Sequence, residues 1–264
     1  MESFSERALR EREQYNKGLK RHSYNAVFSH TSYFSLLRRE EILHEQLQYA
    51  NGRRVLELGS HCWIRWIESS HIQPDVLECI NISEKELQKG SNAAKTSRVK
   101  PRFSLMDAND LEFADESFDM VFGDAILHHL DFLRALDEIQ RVLKPQGRIL
   151  FVEPLDNNPI GKIVRALTPQ ARTQDEQPLR IKEIAEIQRR FNAAFFYEQF
   201  LSVPFGLVSK VVFSNADNVL MKSIYKIDRL IDTRCPPLRN LYRHVIIAGV
   251  KKRPPGLRLH VQVT

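Results

Sequence analysis

The segment Arg54–Trp63 reads RVLELGSHCW, a short apolar run that ends in a glycine. Val55, Leu56 and Leu58 suit a central strand of a parallel sheet, because such strands are buried on both faces. Gly59 follows where the backbone has to turn sharply, and glycine adopts positive φ angles at no steric cost. A buried strand that runs into such a turn is typical of nucleotide-binding α/β proteins, although one glycine after a strand also ends many ordinary loops.

Strand and helix patterns alternate around this segment through the first 155 residues. A helix is predicted where apolar residues recur at helical spacing from Leu133 to Leu143, and Lys144–Gly147 ends it. Besides the strand that begins at Arg54, strands are predicted at 74–82, 102–106, 118–122, 147–152, 194–201 and 244–250. The alternation predicts an α/β fold with a doubly wound, mostly parallel seven-stranded sheet.

Two segments lie outside this alternation. The first 50 residues are predicted to form charged helices and an aromatic, histidine-bearing piece that contains His30 and Tyr33. About forty residues of helical character separate the last two predicted strands, and an insertion of that size usually covers a ligand. We therefore expect a helical N-terminal lid and a helical cap insertion, although the first segment can also simply dock on the sheet.

The composition is ordinary for a globular protein, with 42% apolar and 27% charged residues. No apolar run approaches the ~18 residues that cross a bilayer. The N-terminus is charged with both signs and lacks an apolar signal core, which predicts a cytoplasmic protein without a membrane span. Cys62, Cys79 and Cys235 are widely spaced and match no zinc pattern, so we expect reduced thiols and no metal site.

The net charge of +6 is concentrated near the C-terminus. From Lys226 to Thr264 nine Lys and Arg stand against two Asp, so the rest of the chain is close to neutral. A basic end of this kind can contact an anionic substrate, a phospholipid surface or RNA, or it can be a solvated tail.

Residues 106–154 carry a more specific pattern, with six groups of residues in a fixed order: Asp107-Ala108, Leu111-Glu112-Phe113, Glu116-Ser117-Phe118-Asp119, Leu127-His128-His129-Leu130, Arg141-Val142-Leu143-Lys144-Pro145 and Glu153-Pro154. This order resembles the class I S-adenosylmethionine-dependent methyltransferase superfamily, of the small-molecule type. The resemblance covers roughly residues 50–250. It implies a Rossmann-like methyltransferase fold and methyl transfer to oxygen or nitrogen of a small-molecule acceptor, such as a sugar-containing or biosynthetic metabolite.

The resemblance also implies an organisation of the chain. We expect an N-terminal helical lid at 1–50 and the cofactor-binding half of the α/β core at 51–155. Cap segments and the last two strands then occupy 156–250, and a basic C-terminal tail occupies 251–264. The oligomeric state does not follow from the sequence.

The resemblance assigns S-adenosylmethionine as cofactor and places its site on Glu57, Gly59, Ser60, His61, Asn81, Ile82, Asp107 and Ala108. Asp107 would accept a hydrogen bond from the adenine amino group, although aspartate also caps helices well. Asn81 stands where relatives carry a carboxylate for the ribose hydroxyls, and an amide lacks that charge-assisted strength. His61 and Trp63 replace two glycines of the family, so the loop is expected to take a different path, with Trp63 in the loop or in the core.

Candidate catalytic groups follow the predicted fourth strand. His128 and His129 can act as general bases, because imidazole titrates near neutrality, or they can be packing elements. Asp124 is a comparable candidate for contacting the acceptor or the methionine amine of the cofactor. Four residues are candidates for the acceptor side: Tyr33, His30, Glu153 and Arg172. Arg172 can bind a carboxylate or phosphate, whereas Glu153 can also cap a turn and Arg172 can belong to a surface loop.

Two other functions remain open from the sequence. The altered glycine turn and Asn81 are compatible with a protein that binds the cofactor without transferring a methyl group. The basic C-terminal end is compatible with RNA methylation, but no appended RNA-binding module and no aromatic-basic interleaving accompany it. Nucleic acid is therefore not the expected partner.

Overall fold

The structure is a computed structural model that describes residues 4–17, 22–59, 63–68 and 71–253. Of residues 22–24, 63–64 and 68 it describes the backbone alone. Two predicted cofactor residues, Ser60 and His61, lie outside the described residues, as does most of the predicted basic tail. Among the described residues no helix is both long and apolar enough to span a bilayer.

One seven-stranded sheet forms the centre of the molecule, in the order β3-β2-β1-β4-β5-β7-β6. Its strands are β1 Arg54–Leu58, β2 Val76–Asn81, β3 Arg102–Leu105, β4 Phe118–Asp124, β5 Leu143–Pro154, β6 Phe191–Glu198 and β7 His244–Lys251. Only β7 runs antiparallel to its neighbours β5 and β6. The predicted doubly wound, mostly parallel α/β sheet is thus confirmed, although β5 begins earlier than expected and β6 ends at Glu198.

Helices cover both faces and the carboxyl edge of the sheet. They are α1 Glu6–Lys17, α2 His22–Val27, α3 Ser29–Leu47, α4 Trp63–Glu68, α5 Glu84–Ala93, α6 Phe132–Val142, α7 Pro159–Leu167, α8 Ile181–Arg190, α9 Ser202–Val212 and α10 Val219–Arg234. Short 3₁₀ turns lie at Gln48–Ala50, Ala94–Thr96, Leu127–His129, Pro169–Ala171 and Pro236–Leu241.

Two apolar cores form because successive strand residues point to opposite faces. On β4, Val121 belongs to the core under α6 and α8, while Met120 and Phe122 belong to the core under α3 and α4. Trp66 of α4 is fully buried and its ring meets that of Phe122 edge-on at 5.6 Å. This arrangement fixes the carboxyl ends of β1, β4 and β5 side by side.

The cap consists of α7, α9 and α10 together with the first half of α3. Val164 of α7 and Val203 of α9 pack with Phe28, which directly precedes α3. The loop before α9 is held by Asp228 of α10, whose carboxylate accepts hydrogen bonds from the backbone N–H groups of residues 200–202. The insertion and the N-terminal helices therefore form one cover over the carboxyl edge of the sheet.

Gly59, at the exit of β1, has a φ of +59°. A Cβ added there would overlap the side chain of Ile126, 2.8 Å from its Cγ1. Gly52 has a similar φ of +65°, but a Cβ there would meet no atom within 4 Å. The glycine at 59 is therefore required by backbone conformation and by the close approach of the turn that follows β4.

We predict that Gly59→Ala lowers the free energy of unfolding by about 2–5 kcal/mol, because left-handed strain adds to overpacking. Gly52→Ala isolates the strain alone and should cost about 1–2 kcal/mol. Urea unfolding followed by circular dichroism measures both. Equal losses in the two variants would show that Ile126 does not constrain this turn.

Candidate active site

Two cavities open at the carboxyl edge of the sheet, one on each side of the turn Leu127–His129. The first, the narrow cleft, lies between α1 and the ends of β1, β2 and β3, and is lined by Gly59, Asn81, Asp107 and Ala108 among others. The second, the cap pocket, has a volume of about 530 Å³ and lies between the cap and the ends of β4, β5 and β7. The side chains of this turn therefore separate the two cavities.

Hydrogen-bond acceptors gather at one end of the narrow cleft. Asp107 Oδ1 accepts hydrogen bonds from the backbone and side-chain nitrogens of Asn109, both at 2.8 Å. Asn109 Oδ1 is buried and has no hydrogen-bond partner among the described residues. Ala108 between them is small and 4% exposed. This end of the cleft can bind a flat ring that carries a hydrogen-bond donor.

Asn81 lines the narrow cleft as predicted, but its amide also joins two backbone segments. Its Nδ2 donates to the Gly59 carbonyl at 3.0 Å, and its Oδ1 accepts from the Ser83 N–H at 2.9 Å. Ile82 follows it on the cleft wall. Asn81 therefore fixes the ends of β1 and β2, and its second amide N–H and the second lone pair of its oxygen are left for a ligand.

Glu57, a predicted cofactor residue, is bonded to buried side chains. Its carboxylate accepts hydrogen bonds from Trp66 Nε1 at 2.7 Å and from the thiol of Cys79 at 3.5 Å. It is not among the described residues that line the narrow cleft. Its role toward the cofactor stays a prediction, and its bond to the Trp66 indole is one that no local pattern reveals.

His128 lies on the cap-pocket side of the turn and is held by Glu153. Its Nδ1 lies 2.7 Å from Glu153 Oε2, while Glu153 Oε1 accepts from the backbone N–H groups of Ile126 and Leu127. Glu153 is completely buried, and this burial raises its pKa to about 7. A carboxylate at the end of β5 thus orients the His128 ring and holds the turn at the same time.

His129 faces the narrow cleft, and both of its ring nitrogens are engaged. Nε2 lies 3.1 Å from the Tyr15 hydroxyl and Nδ1 lies 3.1 Å from the Thr173 hydroxyl. Thr173 in turn donates to Glu11 Oε1 at 2.6 Å. Burial and the neighbouring His128 lower the pKa of His129 against the opposing effect of Glu11, whose Oε2 lies 3.1 Å from Nδ1, and this shift favours the neutral ring. The structure therefore gives His129 the surroundings of a hydrogen-bonding element.

Asp124 ends β4 on the floor of the cap pocket. It forms an ion pair with Arg39 of α3, which also lines the pocket. Burial raises the pKa of Asp124, and the charge of Arg39 opposes this rise. Asp124 is therefore placed to contact a ligand in the cap pocket. Its ion pair with Arg39 was not predicted from the sequence.

Arg172 lies in the loop between α7 and α8 and lines the cap pocket. Its guanidinium donates to the carbonyl of Arg165, and its Nε is buried without a hydrogen-bond partner among the described residues. The backbone N–H of Gln177 donates to the His128 carbonyl at 2.7 Å, which ties this loop to the turn. Arg172 therefore lies on the wall of the cap pocket, and its predicted contact with the acceptor is compatible with this position.

His30 and Tyr33 do not line either cavity. His30 Nδ1 lies 3.0 Å from Ser209 Oγ and joins α3 to α9, whereas Tyr33 packs edge-on against Phe34. The residues of α3 that face the cap pocket include Ser29, Ser32, Leu36 and Arg39. Their i, i+3, i+7, i+10 spacing marks one helical stripe, which is the signal that could have identified them.

Sequence reasoning also missed the polar residues that the last two strands bring to the cap pocket: Glu198, Gln199, Arg243 and His244. The guanidinium of Arg243 stacks on the ring of Phe28 at 3.8 Å. Burial and the charges of Arg243 and Arg39 keep the pKa of His244 well below its usual value. Because β7 is antiparallel, its first residues lie at the same edge as the last residues of β5.

One group near the turn has the composition of a metal site. Ligand atoms of His128, His129 and Glu176 lie within 4.8 Å of one another. Both nitrogens of His129 and the Nδ1 of His128 have hydrogen-bond partners, so a cation there would displace some of them. The absence of a metal cofactor stays a prediction.

Comparison with known proteins relates the central part of the chain to one family. Residues 53–151, which span β1 to β4 and most of β5, match the family model described as a methyltransferase domain. The glycine/sarcosine/dimethylglycine N-methyltransferase of Actinopolyspora halophila is 33% identical over 87 residues, covering 32% of this chain and 15% of that protein. The 27-O-demethylrifamycin SV methyltransferase of Amycolatopsis mediterranei is 32% identical over 101 residues, covering 37% of each.

The chain therefore spans well under half the length of these two relatives. Among solved structures, geranyl diphosphate C-methyltransferase from Streptomyces coelicolor is similar over 82% of this chain and 79% of its own, with a TM-score of 0.54 and 13% identity. That structure contains Mg²⁺, geranyl diphosphate and S-adenosyl-L-homocysteine. At this identity the similarity shows a shared Rossmann-like fold.

Proposed function

We propose that the chain transfers a methyl group from S-adenosylmethionine to a small-molecule acceptor, as a member of the class I S-adenosylmethionine-dependent methyltransferase superfamily. The observation that carries the proposal is the pair of cavities that meet at the turn Leu127–His129. Methyl transfer is an in-line displacement, so the donor methyl group and the acceptor atom have to meet at near-attack distance, and the place where the two cavities adjoin can supply this geometry.

The narrow cleft is the proposed site of the adenosine half of the cofactor. Its volume is about 30 Å³, so α1 has to move away from the strand ends to admit the ligand. Asp107 and the unpartnered Oδ1 of Asn109 are acceptors for an adenine amino group, and Ala108 leaves room for the ring. The remaining lone pair of Asn81 is available to a ribose hydroxyl. When bound, S-adenosylmethionine supplies an electrophilic methyl group on a sulfonium centre, and the residues of the chain orient both reactants.

His128 is the proposed general base, with Glu153 as its positioning partner. Donation from Nδ1 to the Glu153 carboxylate places the basic lone pair on Nε2, and the ring lines the cap pocket. A base in this place can take the proton from a hydroxyl or an ammonium group as the methyl group arrives. His129 lacks such an arrangement because its two nitrogens bond Tyr15 and Thr173.

The cap pocket favours a compact polar acceptor with an acidic group. Its volume of about 530 Å³ lies within the range of small-molecule sites, ~300–1,000 Å³. Arg172 lines the pocket, and its buried Nε has no hydrogen-bond partner among the described residues. Guanidinium groups bind carboxylates and phosphates in bidentate geometry. The serines of α3 and the amide of Gln199 can bond hydroxyl groups on the same ligand. We therefore propose O- or N-methylation of a hydroxylated acid.

A second candidate function is cofactor binding without methyl transfer. It is favoured by one observation, the involvement of the Asn81 amide in bonds to Gly59 and Ser83 where relatives carry a carboxylate. This function would leave cofactor affinity intact and give no turnover with any acceptor.

Calorimetric titration tests the cofactor site. We expect both S-adenosylmethionine and S-adenosylhomocysteine to bind, and Asp107→Ala to weaken binding about 10–100-fold through loss of a charge-assisted hydrogen bond. Asp110→Ala changes an exposed carboxylate three residues away and should leave the affinity unchanged. Failure of the unaltered protein to bind either compound would refute the proposed function.

The base is tested by turnover and its pH dependence. His128→Ala should lower kcat by about 10²–10⁴-fold, while binding of S-adenosylhomocysteine persists. Because the pKa of Glu153 is raised to about 7, activity should rise as the pH increases through 7 and the carboxylate ionises. Glu153→Gln should remove this rise near pH 7.

His129→Phe removes the neighbouring imidazole, and it should lower kcat less than His128→Ala because His129 lines the narrow cleft and not the cap pocket. Full activity of His128→Ala at all pH values would exclude His128 as a base. A rise through pH 7 that persists in Glu153→Gln would mean that another group titrates.

Arg172→Gln tests the acidic group of the acceptor. Within a panel of carboxylic acids and their amides, we expect the unaltered enzyme to prefer an acid, and Arg172→Gln to lower kcat/KM for it by about 10–100-fold. The amide of the same compound should be used equally by both enzymes. Arg180→Gln, which alters an exposed arginine paired with Glu183, is the control. Equal use of acid and amide by the unaltered enzyme would contradict the assignment.

A further inference from the structure

Helix α1 contacts both candidate sites at once. Glu11 and Tyr15 lie one helical turn apart, and a continuous chain of hydrogen bonds connects their side chains. The Tyr15 hydroxyl bonds His129 Nε2, His129 Nδ1 bonds the Thr173 hydroxyl, and Thr173 donates to Glu11 Oε1. This chain joins α1, the turn after β4 and the loop that follows α7.

Residues 168–177 form the loop that follows α7. We term it the acceptor loop, because Ala171, Arg172 and Glu176 line the cap pocket. None of its described residues lines the narrow cleft. Besides Thr173, it is bonded to α1 at two further positions. Gln174 N–H donates to Gln14 Oε1 at 2.9 Å, and Asp175 accepts from Arg10 Nε at 2.8 Å. Several of the hydrogen bonds that hold the acceptor loop in place are therefore made to α1.

Helix α1 also forms a wall of the narrow cleft through Arg7, Ala8, Glu11 and Tyr15. Ser5, just before the helix, lies 3.4 Å from Asp107 Oδ2, and Asn16 accepts a hydrogen bond from the Ser83 hydroxyl at 2.8 Å. Because the volume of the narrow cleft is only about 30 Å³, a ligand that enters it replaces some of these contacts with its own and so acts directly on α1.

The docking of α1 depends on polar contacts. Ala8 and Glu11 are its buried residues, and Leu9 is 49% exposed. The pair between Arg10 and Asp175 is partly exposed, and ion pairs of this kind contribute little to stability. An element held this weakly changes its docked population readily when a ligand supplies further contacts.

We propose that Glu11 and Tyr15 are positioning residues that couple occupancy of the narrow cleft to ordering of the acceptor loop through His129 and Thr173. The inference rests on the proposed function, which identifies the ligand of the cleft as S-adenosylmethionine. Cofactor binding then organises the cap pocket, so the acceptor binds after the cofactor. By linkage, the acceptor strengthens cofactor binding by the same factor.

Hydrogen exchange of the full chain, followed by mass spectrometry with and without saturating S-adenosylhomocysteine, tests the coupling without knowledge of the acceptor. We expect amides of the acceptor loop to exchange more slowly by about fivefold or more when the ligand is bound. Thr173→Val keeps the shape of the side chain and removes the central hydroxyl of the chain. It should retain the affinity within about twofold and lose the protection of the loop.

Thr168→Val is the matched control, because its hydroxyl donates to the Val164 carbonyl within α7 and reaches nothing on α1. It should behave as the unaltered protein. In turnover assays, Thr173→Val should raise the acceptor KM by about tenfold while kcat changes less. If Thr173→Val does not fold, Glu11→Gln compared with Glu13→Gln provides the same exchange measurement, because Glu13 pairs with Lys17 on the outer face of α1.

Ligand binding without any change in acceptor-loop exchange would overturn the coupling and leave the proposed function standing. Loop protection that survives in Thr173→Val would also overturn it, since the hydrogen-bond chain would then not carry the effect. Absence of ligand binding by the unaltered protein would overturn both proposals.

Discussion

The bonds made by the Glu153 carboxylate are the constraint on which the site depends. They hold the backbone of residues 126–128 and the His128 ring to the end of β5. The turn held in this way packs Ile126 against Gly59 and Gly123. A Cβ at either glycine would overlap the Ile126 side chain. One buried carboxylate therefore sets the separation of the two cavities and the orientation of the proposed base.

The same constraint explains why the two adjacent histidines have different surroundings. His128 is bonded to a buried carboxylate and lines the cap pocket, while His129 has a lowered pKa and is bonded on both sides. Burial raises the pKa of Glu153 and of Asp124 and lowers that of His129. Proton affinities in the site are thus governed first by removal from water and then by local partners.

Most of the fold was predictable because it is encoded locally: apolar runs gave all seven strands, and the resemblance placed Gly59, Asn81, Asp107 and Ala108 on one cleft. The orientation of Glu57 depends on Trp66, and the role of Glu153 depends on pairing of β4 with β5. On α3, sequence alone favoured His30 and Tyr33, whereas the rotation of the helix in the fold presents Ser29, Ser32 and Arg39. Long-range packing decides these positions, and no short window of sequence contains it.

The central claim is that the narrow cleft and the cap pocket are the two halves of one methyl-transfer site. A crystal structure of the protein with S-adenosylhomocysteine tests it most directly. Adenine should lie against Ala108 with its amino group near Asp107 and Asn109, and the sulfur should lie beside the turn Leu127–His129, facing the cap pocket and His128. Adenine bound in the cap pocket, or a sulfur directed away from that turn, would contradict it.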